Sequence, residues 1–218
     1  MDMQSFKQYS SVYDEVNKHK NYKKETKFVY EWAGKPESIL DIGAGTASYW
    51  KYFPKGTQLV GIEKSPQMIK HSKHKSLIIN EDILTCKFPK NPAKFDCLTA
   101  LFDVVNYLPH QRWWENIPLK KGGCFIFDIW DLKKVNKEGF RTTVRKTGNL
   151  VRKIIPRREK NKVHLKVIVN TPTGIIKEKH LMYLYSQKDI QKFCGNNFKI
   201  TGIKHTDNWQ VWYRLEKL

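Results

Sequence analysis

The sequence predicts an α/β fold: a mostly parallel β-sheet with helices on both faces, followed by an antiparallel β insert. Three observations predict it. Ser38-Ile39-Leu40-Asp41-Ile42 is a short apolar run that ends near an acid and breaks into Gly43-Ala44-Gly45. That is the pattern of a strand entering a tight turn ahead of a helix. Apolar runs and helix-period segments then alternate as far as Asp131, as in successive βα units. Beyond Asp131 the period falls to two, which reads as antiparallel strands.

Taken in order, residues 6–33 carry Phe6, Tyr9, Val12, Tyr13, Val16 and then Phe28, Val29 and Trp32 at three- and four-residue steps. A helical segment is therefore expected before the first strand. Strand 38–42 follows, then helix 46–53, strand 58–62, helix 65–73, strands 76–80 and 95–101, helix 110–116 and strand 123–129. Pro54, Pro66, Pro89, Pro92 and Pro109 mark connections or helix starts. In the insert, 141–145, 150–155, 163–169 and 175–185 alternate, with turns at Gly148-Asn149 and Thr171-Pro172-Thr173-Gly174. Ser186 stands at the N-cap of a short helix reaching Phe193. Residues 199–205 and 210–215 close the chain as a hairpin around Asp207-Asn208. The expected organisation is one domain: a helical lid over 1–35, a ligand-binding core over 36–131, an insert over 132–185, and a helix with a hairpin over 186–218.

The length of 218 residues suits one such domain with room for an extension. No stretch of about 18 apolar residues occurs, so no membrane span is expected. Met1 to Lys7 lacks an apolar signal region. Cys86, Cys97, Cys124 and Cys194 form no Cys-x-x-Cys pair and read as reduced structural thiols of a cytoplasmic protein. The formal charge is +19, from 33 Lys and 7 Arg against 21 acids. A lysine-dominated excess reads mainly as background composition, since planar phosphate recognition favours Arg. The arginines concentrate in the insert, at Arg141, Arg145, Arg152, Arg157 and Arg158. Between Lys133 and Lys166 there are 13 Lys and Arg against Glu138 and Glu159. A solvated strand face is the default reading of this cluster, and an anionic substrate or partner is the sharper one.

The turn after the first strand points to a nucleotide-like cofactor. Gln58-Leu59-Val60-Gly61-Ile62 is a second strand ending in Glu63, 22 residues after Asp41. Dinucleotide folds place their ribose-binding carboxylate about 20 residues on, and a carboxylate can accept from both ribose hydroxyls. NAD-like dinucleotides and S-adenosylmethionine (SAM) both fit this layout. Ser48 stands where a dinucleotide fingerprint has its third Gly, and Asp41 suits a ligand with a free amino group, which SAM has and NAD lacks. The alternative is an ordinary glycine-containing turn.

Residues 38–131 resemble the SAM-dependent methyltransferases of the Rossmann-like class. Asp41-Ile42-Gly43-Ala44-Gly45-Thr46-Ala47 is similar to their first motif, with Ala47 in place of the last Gly. Glu63 resembles the ribose-binding acid. Asn80-Glu81-Asp82-Ile83 resembles the loop after the third strand, where an Asp binds the adenine amino group. Phe95 to Phe102 resembles the fourth strand, and Gly122-Gly123 to Asp128 the Gly-Gly turn and fifth strand. The resemblance implies a seven-stranded, mostly parallel sheet and SAM as cofactor. It implies cofactor contacts from Asp41, Gly43, Ala44, Gly45, Glu63, Lys64, Asp82, Ile83, Leu101 and Tyr22.

Leu101 to Leu108 and Phe127-Asp128-Ile129-Trp130 narrow the resemblance to a bacterial small-molecule branch near the amino-sugar N-methyltransferases. Val12-Tyr13-Asp14-Glu15 and Asn21-Tyr22-Lys23-Lys24-Glu25 resemble that branch's N-terminal motif pair. Glu178 to Ser186 resembles its Glu-x-His-x-Met-Arg-Tyr segment, with Tyr183 where an Arg is usual. The implied catalytic candidates are His180 and Tyr13, the alternative for His180 being a histidine that packs in a strand or faces solvent; the sequence also offers His164 and His205, and His110 after Pro109 as a weaker candidate. The acceptor candidates are Phe102, Asn106, Trp130 and Tyr183 from these motifs, and Arg141 and Arg145 from the arginine cluster of the insert. An amine nucleophile needs only to be neutral and aimed, whereas an alcohol needs a base.

The expected activity is methyl transfer to a small molecule, an amino sugar or nucleotide-linked sugar, with a compact anionic group held by Arg141 to Arg158. RNA or another polyanion is the second reading, with a non-enzymatic binding module a third. Leu101-Phe102-Asp103-Val104 stands where adenine N-methyltransferases carry Asn/Asp-Pro-Pro-Tyr/Phe, and no Cys follows a Pro as cytosine C5 enzymes require. No Walker A loop or zinc-spaced Cys/His set occurs, so no metal is expected. A monomer or homodimer is expected.

Overall fold

A computed structural model describes residues 6–88, 94–109, 117–207 and 209–218. Two sheets organise it. Strands β1 (Ser38–Ile42), β2 (Gln58–Glu63), β3 (Ile78–Asn80), β4 (Phe95–Ala100) and β5 (Leu119–Trp130) lie in the first sheet, as do β10 (Phe198–His205) and β11 (Gln210–Lys217). The second consists of β6 (Thr143–Thr147), β7 (Leu150–Glu159), β8 (Lys162–Thr171) and β9 (Gly174–Tyr183). The first has order β10-β11-β5-β4-β1-β2-β3, and its strands β1 to β5 pair in parallel. β11 joins β5 antiparallel. The second is a four-stranded antiparallel meander.

β1 is buried along its whole length between β2 and β4, as a continuous apolar run in a parallel sheet requires. The core divides across this sheet. Leu40, Ile42, Leu98, Phe125 and Phe127 pack on one side, and Ile39, Cys97, Ile126 and Val29 on the other. Among the described residues four helices have side-chain caps: α2 (Tyr22–Trp32) by Asn21, α3 (Pro66–Lys70) by Ser65, α5 (Leu132–Glu138) by Asp131 and α6 (Gln187–Cys194) by Ser186. Ser186 and Asp189 form a reciprocal capping box.

The expected N-terminal helix is broken into a 3-10 turn (Tyr9–Val12), α1 (Tyr13–Val16) and α2. Its two ends serve different cores: Tyr9 and Val16 pack on Leu150, Val167 and Val169 of the insert, while Val29 packs on the main sheet. The expected helix over 46–53 is a single 3-10 turn, Trp50–Tyr52. Ala47 sits at φ +52°, a left-handed conformation that interrupts a helix, and Tyr49 and Trp50 turn back toward β1. The helix expected over 65–73 is the shorter α3. A further short helix, α4 (Val104–Tyr107), follows β4, and the insert begins with α5 rather than a strand. The helix expected over 110–116, with His110, lies outside the described residues, as do Pro89, Pro92 and Asn208. Among the described residues no helix is long and apolar enough to cross a membrane.

Gly61 marks where β2 passes under the turn after β1. A Cβ there would stand 2.8 Å from the Ala44 Cβ and 3.1 Å from the Trp50 ring. Neither neighbour is a flexible side-chain tip. Gly61→Ala is expected to cost about 1–3 kcal/mol through overpacking. Urea unfolding measures it, and a loss below about 0.5 kcal/mol, the range of neutral surface changes, would mean the turn can shift aside.

Candidate functional site

The C-terminal ends of β1, β2 and β4 open into a cavity of about 510 Å³, within the ordinary range for small-ligand sites. Its floor is the turn Gly43-Ala44-Gly45-Thr46. Gly43 and Gly45 sit at φ +68° and +59°, and a Cβ on Gly43 would lie 2.7 Å from Val104 of α4. Only glycine permits both the backbone shape and the approach of α4. The Gly43 and Ala44 N–H groups donate to Ile62 O, so the turn rides on β2.

Glu63 ends β2 in the cavity wall. Its Oε2 accepts from Gly45 N at 2.9 Å and its Oε1 from Ser65 N at 2.7 Å. Each oxygen keeps a further acceptor direction for a ligand. Burial raises its pKa, and the N–H bonds from Ser65 and Gly45 offset this only in part. Asp82 pairs with Lys64 at 2.8 Å and accepts from Leu84 N at 3.0 Å. Asn80 Nδ2 donates to the carbonyls of Glu63 and Lys64, binding the second-strand turn to the third. Lys64, Asp82, Ile83 and Leu101 all line the cavity.

Asp41 does not. It is 1% exposed and lies beneath the glycine turn, outside the cavity lining. Thr99 Oγ1 donates to one oxygen at 2.8 Å, and Trp50 Nε1 donates to the other at 2.7 Å together with the Tyr49 hydroxyl. The expectation of a ligand-facing Asp41 is corrected to that of an anchor. Burial pushes its carboxyl up to about 6, against the pull of these three donors.

The other end of the cavity is aromatic. Phe6, Tyr13 and Tyr22 from the N-terminal segment, Phe102 and Tyr107 after β4, and Leu181 and Tyr183 of β9 line it. Tyr22 meets Phe102 edge to face at 5.0 Å. Phe102 and Asp103 are both left-handed, at φ +65° and +66°. They are held there by Asp128, 0% exposed, which accepts from Phe102 N at 2.6 Å and Asp103 N at 3.0 Å. Asp14 grips the glycine turn from above, accepting from Thr46 Oγ1 at 2.7 Å and Ser48 Oγ at 3.1 Å. The motifs contain Asp14 and Asp128, but only the fold shows what they hold.

Other sequence candidates stand elsewhere. His180 is 1% exposed and outside the lining; its Nδ1 pairs with the Tyr107 hydroxyl at 3.1 Å. Asn106 is a buried clamp, donating to Tyr183 O at 2.7 Å and accepting from Trp130 N at 3.1 Å. Trp130 packs on Phe140 rather than on the cavity. Arg141 and Arg145 are exposed and outside the lining. Arg152 bonds Tyr9 Oη and Asn17 Oδ1, Arg158 bonds Asn136 Oδ1 and Lys160 O, and Arg157 is on the opposite face of β7. Arg145 stands opposite Arg152 on one face of this sheet and Arg157 on the other, and none of the five arginines lines the cavity.

Residues 40–127 match the family profile described as "Methyltransferase domain". No curated protein sequence matches the chain. Among solved structures, a SAM-dependent methyltransferase from Clostridium acetobutylicum is 20% identical, with TM-score 0.79 over 96% of this chain and 98% of that one. CalS10, an amino pentose methyltransferase of Micromonospora echinaspora solved with SAM, is 16% identical with TM-score 0.76 over 98% of each chain. The sugar N-methyltransferase KedS8 from Streptoalloteichus is 16% identical, with TM-score 0.69 over 94% and 91%. The match to a methyltransferase domain covers residues 40–127, and the solved SAM-dependent enzymes share the fold, so SAM is the group against which the cavity is to be tested. The side-chain-free glycine turn and the two-oxygen acceptor of Glu63 on one cavity fit that group.

The Asp41 anchor has a pH signature. Its folded value of about 6 lies above the ordinary 3.8, so the unfolded chain releases the proton first as pH rises. Asp41 therefore costs nothing below about pH 4, and stability falls through pH 4–6 by roughly 3 kcal/mol, then levels. Asp41→Asn stays neutral throughout. The stability of wild type minus that of the variant, from urea titrations, is expected to decline over this window; a flat difference would contradict the buried anchor.

Proposed function

We propose that this chain, through its methyltransferase domain, moves the methyl group of SAM onto the nitrogen of a small amine-bearing acceptor, an amino sugar or nucleotide-linked amino sugar. One observation carries the reading. The acceptor end of the cavity is walled by phenol and phenyl rings, with no imidazole and no carboxylate among its described lining residues. The acids of the lining, Glu63, Glu81 and Asp82, all come from the β2 and β3 ends. An alcohol would need a base at the acceptor end; an amine arriving neutral does not. The amino pentose and sugar enzymes that share the fold support the same substrate class.

Bound SAM supplies an electrophilic methyl on a sulfonium, for which geometry dominates the rate. The glycine turn would let backbone approach it, Glu63 would offer its spare acceptor directions to ribose hydroxyls, and Asp82 and Ile83 would border the adenine. Burial, then neighbouring Tyr9 and Asp14, raises the Tyr13 phenol. Burial, then Tyr13, raises that of Tyr22. Both stay protonated, so they orient an amine by hydrogen bonding and do not remove its proton. In such a transfer the N–C bond would form as the S–C bond breaks, and the surplus proton on nitrogen would pass to water.

RNA is the second reading. Alternation on β7, β8 and β9 puts Lys153, Lys166, Lys177 and Lys179 on one exposed sheet face. Charge of this kind binds nucleic acid in a manner that fades steeply with salt.

By calorimetry, S-adenosylhomocysteine is expected to bind and NAD not to bind, and Glu63→Ala to weaken binding by about 1–3 kcal/mol. Methyl transfer is then measured with amino-sugar and nucleotide-sugar pools and with RNA, near physiological salt. Turnover of amine-bearing sugars that rises with pH as the amine loses its proton is the expected result. Salt-resistant methylation of RNA without sugar turnover would replace this reading with the second.

A further inference from the structure

One buried carboxylate outside the cavity has no part in the chemistry above. Glu178, on β9, is 9% exposed. Its Oε2 accepts from Phe6 N at 2.8 Å and its Oε1 from Tyr9 N at 2.9 Å. Both oxygens are thus spent on the main chain of the N-terminal segment. The Phe6 ring fills the corner behind them, 4.9 Å from His180, 5.5 Å from Tyr107 and 5.9 Å from Tyr13. The carbonyl of Phe6 accepts from Ser65 Oγ at 3.1 Å, and Ser65 N donates to Glu63. A chain of contacts therefore runs from the insert, through residue 6, to the acid at the cofactor end.

Phe6, Lys7 and Tyr13 line the cavity, so this segment is part of its cover. Lone backbone N–H groups are weak ties, but two converging on one ionised carboxylate are charge-assisted and strong. Burial alone would raise the Glu178 pKa; His180 and the Tyr9 and Phe6 N–H groups outweigh it, and the group is held below its usual value as a carboxylate. His180 Nε2 lies 3.4 Å from Glu178 Oε2, with neither residue in the cavity lining. The imidazole thus backs this carboxylate rather than facing the cavity.

We propose that Glu178 is a positioning residue whose carboxylate latches residues 6–9 over the cofactor cavity and thereby sets how fast the cofactor product leaves. The kinetic half rests on the cavity holding SAM; the latch itself does not.

The latch is tested first without ligand. In Glu178→Gln one oxygen still accepts, while the amide NH₂ opposes the other N–H. Hydrogen exchange of peptides spanning 6–16 is expected to speed about tenfold to a hundredfold, the loss of a hydrogen bond to a charged group. Peptides of β1, β4 and β5 should keep their protection. In stopped flow, S-adenosylhomocysteine dissociation should quicken by a similar factor, with a smaller change in association. Unchanged exchange over 6–16, or loss of protection throughout the chain, overturns the latch. Faster exchange with unchanged dissociation overturns the kinetic half, whereas failure of the ligand to bind wild type overturns the reading of the cavity. If Glu178→Gln does not fold, Glu178→Asp keeps the charge beside His180 but withdraws it by one methylene, and the same outcomes apply.

Discussion

The Asp41 carboxylate, closed in by Thr99, Trp50 and Tyr49, is the interaction on which the rest of the cavity depends. It ties the end of β1 to β4 on one side and to the start of the next turn on the other. Between those ends the turn runs with Gly43 and Gly45 left-handed and the Gly43 and Ala44 N–H groups on Ile62 O. That path leaves room for α4 against Gly43 and for Glu63 against Gly45 N. A buried carboxylate satisfied by three donors tolerates few rearrangements, because losing any one leaves charge exposed to an apolar core.

The same device recurs around the cavity. Glu63 binds the N–H groups of residues 45 and 65, Asp128 those of 102 and 103, Asp82 that of 84, and Asp131 those of 133 and 134. In a chain with a formal charge of +19, the acids at strand ends are occupied with backbone. Parallel strands end together on one edge, where N–H groups have no ladder partner. Carboxylates supply acceptors there and set loop shape at the place where a ligand must be met.

Much of the fold was legible because its signals are local. The apolar runs of β1, β2 and β4, the change of period after Asp131, and Ser186 ahead of α6 all follow from nearest-neighbour chemistry. The break of residues 6–33 into pieces was not legible, since it arises from packing on two separate cores. Nor was the collapse of the helix expected over 46–53, because Tyr49 and Trp50 are drawn to Asp41, which the sequence shows only as a distant neighbour. At the site, the spacing of Glu63 from Asp41 brought out an acid in the cavity wall. It gave no sign that Asp41 itself is sealed beneath the turn. The arginines of the insert look like a cluster along the chain, yet alternation sends Arg152 and Arg158 to one face and Arg157 to the other.

The bonds from Phe6 and Tyr9 to Glu178 span 172 and 169 residues. A growing chain emerging from the ribosome can therefore assemble β1 to β4 and the glycine turn well before the cavity acquires its cover. Contacts of such sequence separation carry the greatest loop-closure cost, so they form late and open early. A nascent or partly opened molecule would keep its central sheet while its cavity stood uncovered. If the proposed latch governs retention, a small ligand would be held only once residues through Glu178 are in place, and its retention would follow the cover rather than the central sheet.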